Sequence, residues 1–419
     1  MEEMIYVKGG TKLIGEVAIE GSKNSALVCM AAACLCTDGT IVTLKNVPEI
    51  SDVYVMSDIL AFLGKKVIRN NDVLLISGSV IRDKIPSYLS STIRASIYFA
   101  GVLLGICGSV ETSLPGGDKI GIRPIDIHLD AFARMGAQYE TKGGKVYIKA
   151  SNRLKGTHIF LRFPSVGATC NIILAAVQAK GKTIIENAAK EPEIVDLCSL
   201  LTKMGCTIHG AGTDRIVVIG DNLIHGDIEH EVISDRIAAG VLAVATAITG
   251  GDVYIKNMIF QHNRPLISTL SSANVICREE ANGIRITTHA PLCPINVNMM
   301  PFPGLATDLQ PLMTVLALKA SGDSIIVDNV FPERFQYVYE LIRMGADINH
   351  YGNSLRVTGG KTLVGLSVEG MDIRAVTALI CAGLIAEGTT VVEGVKHLQR
   401  GYVGFEKKLQ ALGADVQIR

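Results

Sequence analysis

Arg134-Met135-Gly136-Ala137, Lys203-Met204-Gly205-Cys206, Arg343-Met344-Gly345-Ala346 and Ala411-Leu412-Gly413-Ala414 repeat one signature, the end of a helix followed by glycine. Phe62-Leu63-Gly64 is a fifth copy and Ala273-Asn274 a degraded sixth. The copies recur at intervals of about 70 residues, the mark of a repeated supersecondary unit. The glycine fits the position just past a helix C-terminus, where a left-handed backbone costs least. Alternating residues follow it, as in Ala414-Asp415-Val416-Gln417-Ile418, and read as a strand.

Working outward from the marker, each unit has one plan. The first runs from an extended segment, Glu16-Val17-Ala18-Ile19-Glu20, through a polar turn, Gly21-Ser22-Lys23-Asn24, into an apolar helix over 26–36 and a strand over 40–44. A second, amphipathic helix then ends in the glycine. The turn before the first helix falls at one phase of every unit: Lys23-Asn24, Arg94, Ser165-Val166-Gly167-Ala168-Thr169, Asp235-Arg236, Thr307-Asp308 and Asp372-Ile373-Arg374. If the units pack with pseudo-symmetry, six helix N-termini converge, with free N–H groups and partial positive charge suited to an anion. Ser, Thr and Asp at such positions are also ordinary caps, and for Ser165, Thr169 and Thr307 both readings stand. Lys and Arg are disfavoured there by the helix dipole, so Lys23, Arg94, Arg236 and Arg374 point to an anionic ligand.

Composition narrows the function classes. Hydrophobic residues make up 48% and charged residues 19%, the make-up of a well-packed α/β enzyme. Forty basic and forty acidic residues cancel, so no overall field draws the chain to nucleic acid or membrane. The apolar runs 26–36 and 237–248 fall short of the roughly 20 residues of a spanning helix. Acids near the start, Glu2 and Glu3, argue against an export signal, so a cytoplasmic protein is expected. The ten cysteines are scattered without a CxxC pair, and the nine histidines form no HExxH. They read as buried thiols in a reducing compartment, and no metal site is expected.

Residues 113–128 hold three glycines and two prolines between periodic segments, a loop able to close over a ligand. GxxxxGK[ST] is absent, which argues against a nucleoside triphosphatase. Two further arginines stand beside aromatics in polar turns, Arg334-Phe335 and Arg400-Gly401-Tyr402. Guanidinium there would suit carboxylate or phosphate.

The ordered set Gly21–Leu27, Leu114–Arg123 with Pro124–His128, Ser165–Thr169, Glu191–Asp196, Gly212–Ile216, Thr307–Gln310, Asp372–Ala375 and Arg400–Tyr402 resembles the UDP-N-acetylglucosamine 1-carboxyvinyltransferases. The likeness runs through essentially the whole chain. It implies an α/β fold of two inside-out α/β barrel domains, the enolpyruvyl transferase fold, with six repeated units, three per domain. Domain I would comprise 1–21 with 231–419, and domain II 22–230 with a mobile loop at 113–124, the substrates lying in the cleft between them. The resemblance implies transfer of the enolpyruvyl group of phosphoenolpyruvate to the 3-hydroxyl of UDP-N-acetylglucosamine by addition and elimination, with release of phosphate. That is the first committed step of peptidoglycan synthesis, and hence of cell-wall biogenesis, cell shape and cell division. No metal or redox cofactor is implied.

Residue by residue, the resemblance implies that Lys23, Asn24, Arg123, Arg374 and Arg400 surround phosphoenolpyruvate. Arg94, Arg123, Pro124, Ile125, Asp126, Ile127, Phe163, Ser165, Val166, Gly167, Asp308 and Val330 would line the UDP-sugar. Asp118, Lys23, Asp308 and Arg400 would carry the chemistry, supported by Arg334 and Asp372. Most of the family has cysteine where this chain has Asp118, a general acid and the target of the epoxide fosfomycin. An aspartic acid can also donate a proton when the loop desolvates it, and a carboxylate there implies fosfomycin resistance. Ala238, Leu305-Ala306 and Phe163-Pro164 also depart from the usual pattern, all on the acceptor side. Two other readings remain open here: an enolpyruvyl transferase for another acceptor, and a catalytically silent relative that only binds UDP-sugar.

Overall fold

The structure is a computed structural model describing residues 3–118, 120–121, 124–221 and 224–419. The chain divides into two compact units, one of Gly21–Gly117 with Ile122–Ile233, the other of Met1–Glu20, Asp118–Gly121 and Ser234–Arg419.

In the unit of residues 21–233, three apolar helices form the centre: α1 (Lys23–Ala33), α2 (Tyr98–Cys107) and α3 (Val166–Ala176). Residues on all sides of α1 and α3 are buried, as expected of helices without a polar face. Gly101 lets α2 approach α3 closely, because a Cβ there would lie 2.3 Å from the Asn171 carbonyl oxygen. Strands surround these helices. Ile41–Lys45 pairs antiparallel with Val73–Ser77 and parallel with Ile228–Glu231, and its buried Val42 and Leu44 face inward while alternate residues do not. Lys182–Glu186 repeats the arrangement between Arg215–Ile219 and His158–Phe160.

The other unit follows the same plan around α4 (Arg236–Thr249), α5 (Gln310–Lys319) and α6 (Ile373–Ile385), which pack on one another. Ile14–Ala18 runs parallel to Asp252–Lys256, and Ile5–Lys8 lies between Thr389–Glu393 and Asp415–Ile418, antiparallel to both. Each unit thus keeps its apolar helices inside and its sheets outside, the inside-out α/β arrangement.

The six markers behave as one. Gly64, Gly136, Gly205, Gly345 and Gly413 have φ between 93° and 111°, and Asn274 has φ 72°, so the degraded copy keeps its left-handed turn with the residue that tolerates it best after glycine. The first helix differs from its sequence reading. It begins at Lys23 rather than at residue 26 and ends at Ala33, because the Ser22 side chain accepts from the Ser25 N–H and caps the turn. Among the described residues no helix is long and apolar enough to cross a membrane.

Candidate active site

All six polar turns start helices. Ser22, Ser165, Asp235 and Asp372 cap α1, α3, α4 and α6 with their side chains, and 3₁₀ turns at Arg94–Ile97 and Thr307–Leu309 lead into α2 and α5. Lys23, Arg236 and Arg374 therefore sit inside first turns, where the dipole repels them. Lys23 and Arg374 each meet a carboxylate there, and Arg236 stacks on the Phe302 ring at 5.6 Å.

In the unit that contains α4 to α6, Asp308 is the hub. Its two oxygens accept from Arg334 Nη1 at 2.7 Å and Arg374 Nη2 at 2.8 Å. Both guanidiniums are buried, and Arg334 also faces Asp372 at 3.8 Å. Asp372 accepts the Arg374 and Ala375 N–H groups, so it orients the arginine through the backbone. Arg374 donates to the Tyr402 hydroxyl as well. Burial alone would push the Asp308 carboxyl up, but Arg374 and then Arg334 outweigh it and hold it far below the usual carboxylate range. Burial pushes the Tyr402 phenol up to about 12 despite the neighbouring Arg374. The Nε atoms of both arginines are buried without a hydrogen-bond partner among the described residues.

Arg400 donates to Asp118 in an ion pair of which little is exposed. Val330, the remaining expected residue of this unit, is set by Asp328, whose Oδ1 accepts the Val330 and Phe331 N–H groups and whose Oδ2 accepts the Thr307 hydroxyl at 2.6 Å. Asp328 thereby ties the Val330 turn to the one carrying Asp308.

In the unit that contains α1 to α3, Lys23 Nζ meets Asp52 Oδ2 at 2.7 Å, and Asn24 beside it is exposed. Arg94 donates to the Pro124 carbonyl at 3.3 Å. Asp126, whose Oδ1 also accepts the Ile127 N–H, pairs with Arg162. Ile125 is buried, Phe163 exposed, and the Ser165 hydroxyl accepts the Ala168 N–H. Thr169 Oγ1 accepts from Ala189. Arg123 lies outside the described residues.

Behind this group, Asn171 Nδ2 donates to His128 Nδ1 at 2.8 Å and to the Ile97 carbonyl, which leaves the His128 proton on Nε2. Gly167 permits the contact of α3 with that ring, since a Cβ would lie 3.1 Å from His128 Cε1. Burial, reinforced by the charge of Arg94, pushes the ring down to about 3. A histidine that resists protonation only when folded costs nothing above its unfolded value of about 6.5 and destabilises as pH falls from there toward about 3. His128→Gln should abolish that component. In urea titrations at pH 6.5 and 5, the wild type should lose about 2 kcal/mol more than the variant.

Asp52, Asp328, Arg162 and His128 were not singled out as site residues in the sequence. A carboxylate opening the helix Ser51–Leu63 was the one local signal for Asp52. Among the described residues, Cys29, Asp196 and His230 are the group close enough to share a metal ion. Burial and then the Asp196 charge push the Cys29 thiol well above its usual value. Asp196 is already engaged by His230 Nε2 at 2.9 Å and by the Ser25 hydroxyl, so the group is a hydrogen-bond network.

The EPSP synthase (3-phosphoshikimate 1-carboxyvinyltransferase) family model matches residues 7–409. UDP-N-acetylglucosamine 1-carboxyvinyltransferase 1 from Staphylococcus aureus strain MRSA252 is 43% identical over 418 residues, 99% of each chain. Its namesake from Staphylococcus epidermidis strain RP62A is 44% identical over the same share. In fold, the chain is similar to the enolpyruvyl transferase NikO from Streptomyces tendae, with a TM-score of 0.90 at 24% identity over 100% of this chain and 99% of that one. EPSP synthase from Acinetobacter baumannii gives 0.78 at 19% identity, over 100% of both chains.

Proposed function

This chain belongs to the enolpyruvyl transferases of the EPSP synthase family, and we propose from its full-length kinship with UDP-N-acetylglucosamine 1-carboxyvinyltransferases that it catalyses their reaction. It transfers the enolpyruvyl group of phosphoenolpyruvate to the 3-hydroxyl of UDP-N-acetylglucosamine and releases phosphate, which commits the sugar to peptidoglycan in the cytoplasm. The observation that carries the chemical reading is Asp308, an anionic carboxylate held between Arg334 and Arg374.

In the proposed chemistry, C3 of phosphoenolpyruvate gains a proton, the sugar hydroxyl attacks C2, and phosphate leaves as C3 gives a proton up. Asp308 takes the proton of the 3-hydroxyl, and Asp118, exchanged off Arg400 by the substrate and then protonated, supplies the proton to C3 and takes one back as phosphate leaves. Lys23, Asn24, Arg123, Arg374 and Arg400 receive the carboxylate and phosphate, fixed charges that stabilise the tetrahedral intermediate and the leaving group. Arg94, Pro124, Ile125, Asp126, Ile127, Phe163, Ser165, Val166, Gly167 and Val330 serve the UDP-sugar. Domain I is assigned 1–21 with 231–419 and domain II 22–230.

The test is phosphate release on mixing the protein with both substrates. No release, or release only with another acceptor, overturns the reading. The same assay should run undiminished after incubation with fosfomycin, because a carboxylate at residue 118 is a poor nucleophile toward the epoxide. Asp118→Cys should stay active and become rapidly inactivated.

A further inference from the structure

Glu191–Asp196 stood out in the sequence, yet the proposed reaction gives it no task. Asp196 lies on the helix Pro192–Lys203, buried with its carboxylate against the first turn of α1. Among the described residues it accepts four hydrogen bonds: from the Ser25 hydroxyl, from His230 Nε2 at 2.9 Å, from the Ile233 N–H at 3.3 Å and from the Cys29 thiol at 3.9 Å. Ile233 in turn accepts the Ser22 N–H at 2.7 Å. These bonds close a ring that runs from Asp196 through Ser25, back along the first turn of α1 to Ser22, across to Ile233 and home. Lys23 and Asn24 are the two residues on the arc between Ser22 and Ser25.

The ring does more than the helix requires. Ser22 already caps α1, and burying a carboxylate is costly unless its partners recover it. What the carboxylate adds is a fixed position for two consecutive residues whose backbone is clamped on both sides. The side chain of Lys23 is then aimed by Asp52. His230, also buried, completes the clamp by holding the Asp196 oxygen that Ser25 and Ile233 leave.

We propose that Asp196 is a positioning residue for the transfer reaction: through Ser25 and Ile233 it fixes the turn from which Lys23 and Asn24 reach phosphoenolpyruvate. The inference rests on the reading of Lys23 as a phosphoenolpyruvate ligand. A misplacement of about 1 Å at such a group can cost about 100-fold, so loss of a single clamp bond is expected to show.

The test is a double-mutant cycle on the full chain. Affinity for phosphoenolpyruvate is measured by calorimetry in the presence of a UDP-sugar lacking the 3-hydroxyl, which prevents turnover. Ser25→Ala, which removes one oxygen, is the main variant, and Asp196→Asn the second. Each should weaken phosphoenolpyruvate about tenfold and leave affinity for the UDP-sugar within about twofold. In a Lys23→Ala background, the same changes should have almost no further effect on phosphoenolpyruvate. Equal weakening in both backgrounds, or equal loss of both ligands, would mean a merely structural role and overturn the proposal. Unchanged affinity in Lys23→Ala alone would instead remove the reading of Lys23 on which it rests.

Discussion

Asp308→Asn is expected to lower kcat by about 100- to 10,000-fold, the range for losing a positioned base, while the protein also becomes markedly less stable. Both effects come from one carboxylate. Its charge is what the proposed deprotonation of the sugar hydroxyl needs, and it is also the shared counter-ion of two buried guanidiniums. Asparagine keeps the shape and loses the charge, which leaves Arg334 and Arg374 close together with one compensating anion fewer. Removing one partner of a buried pair typically costs about 3–5 kcal/mol. Thermal melting and phosphate release on the same preparation separate the two losses, and wild-type turnover by a folded variant would sink the assignment. The pH dependence follows with its sign. Because folding depresses the Asp308 pKa, its contribution to stability is complete above the unfolded value of about 3.9 and is lost progressively as pH falls from there toward the much lower folded one. The acidic limb of kcat/KM should therefore belong to another group, and Asp308 should stay ionised throughout it.

Asp118→Asn is expected to slow turnover and yet tighten phosphoenolpyruvate binding. Without a proton donor, kcat should fall by about 100- to 10,000-fold. The affinity for phosphoenolpyruvate, however, should rise by about tenfold. In the structure Arg400 is engaged by Asp118, so an anionic substrate that needs this guanidinium must first exchange with a carboxylate already bound there. A charge-assisted hydrogen bond of this kind is worth about 1.5–3 kcal/mol, enough for such a factor. Binding measured by calorimetry and turnover by phosphate release give the two numbers. Weaker binding in the variant would mean that Asp118 helps to hold the ligand rather than competing with it.

Local features of this molecule were legible in the sequence, and pairings across it were not. The marker glycines could be read because a left-handed helix terminus restricts residue choice at one position, and even Asn274 obeyed that restriction. The polar turns before the helices were legible because a helix start favours a capping side chain, as at Ser22, Ser165, Asp235 and Asp372. α1 begins three residues ahead of its apolar run because the Ser22 cap, not apolarity, sets its start. Lys23, Arg374 and Arg400 drew attention as cations in unfavourable positions. Nothing in their spacing named their partners, since Asp308 and Asp118 come from other repeats than Arg374 and Arg400, and Asp52, though in the same repeat as Lys23, meets it only through folding. The resemblance supplied Asp118 and Asp308 as chemical groups without saying that each is already ion-paired. Arg162, whose charge balances Asp126, lies in none of the motifs that carry the resemblance.

The strand Ile5–Lys8, flanked on both sides by strands from the far end of the chain, has a consequence for synthesis. As the polypeptide leaves the ribosome, the segments that build the unit around α1 to α3 are all present once residue 233 has emerged. The first twenty residues have no such early destination. Ile14–Ala18 meets its partner at 252–256, but the sheet of Ile5–Lys8 is unfinished until residues 415–418 have been added, so that strand must wait, extended and apolar on one side, until then. Contacts of this separation slow folding, and an unpaired strand is open to the wrong neighbour in the meantime. The nascent chain is therefore most vulnerable at this strand, and a chaperone would have most to protect there.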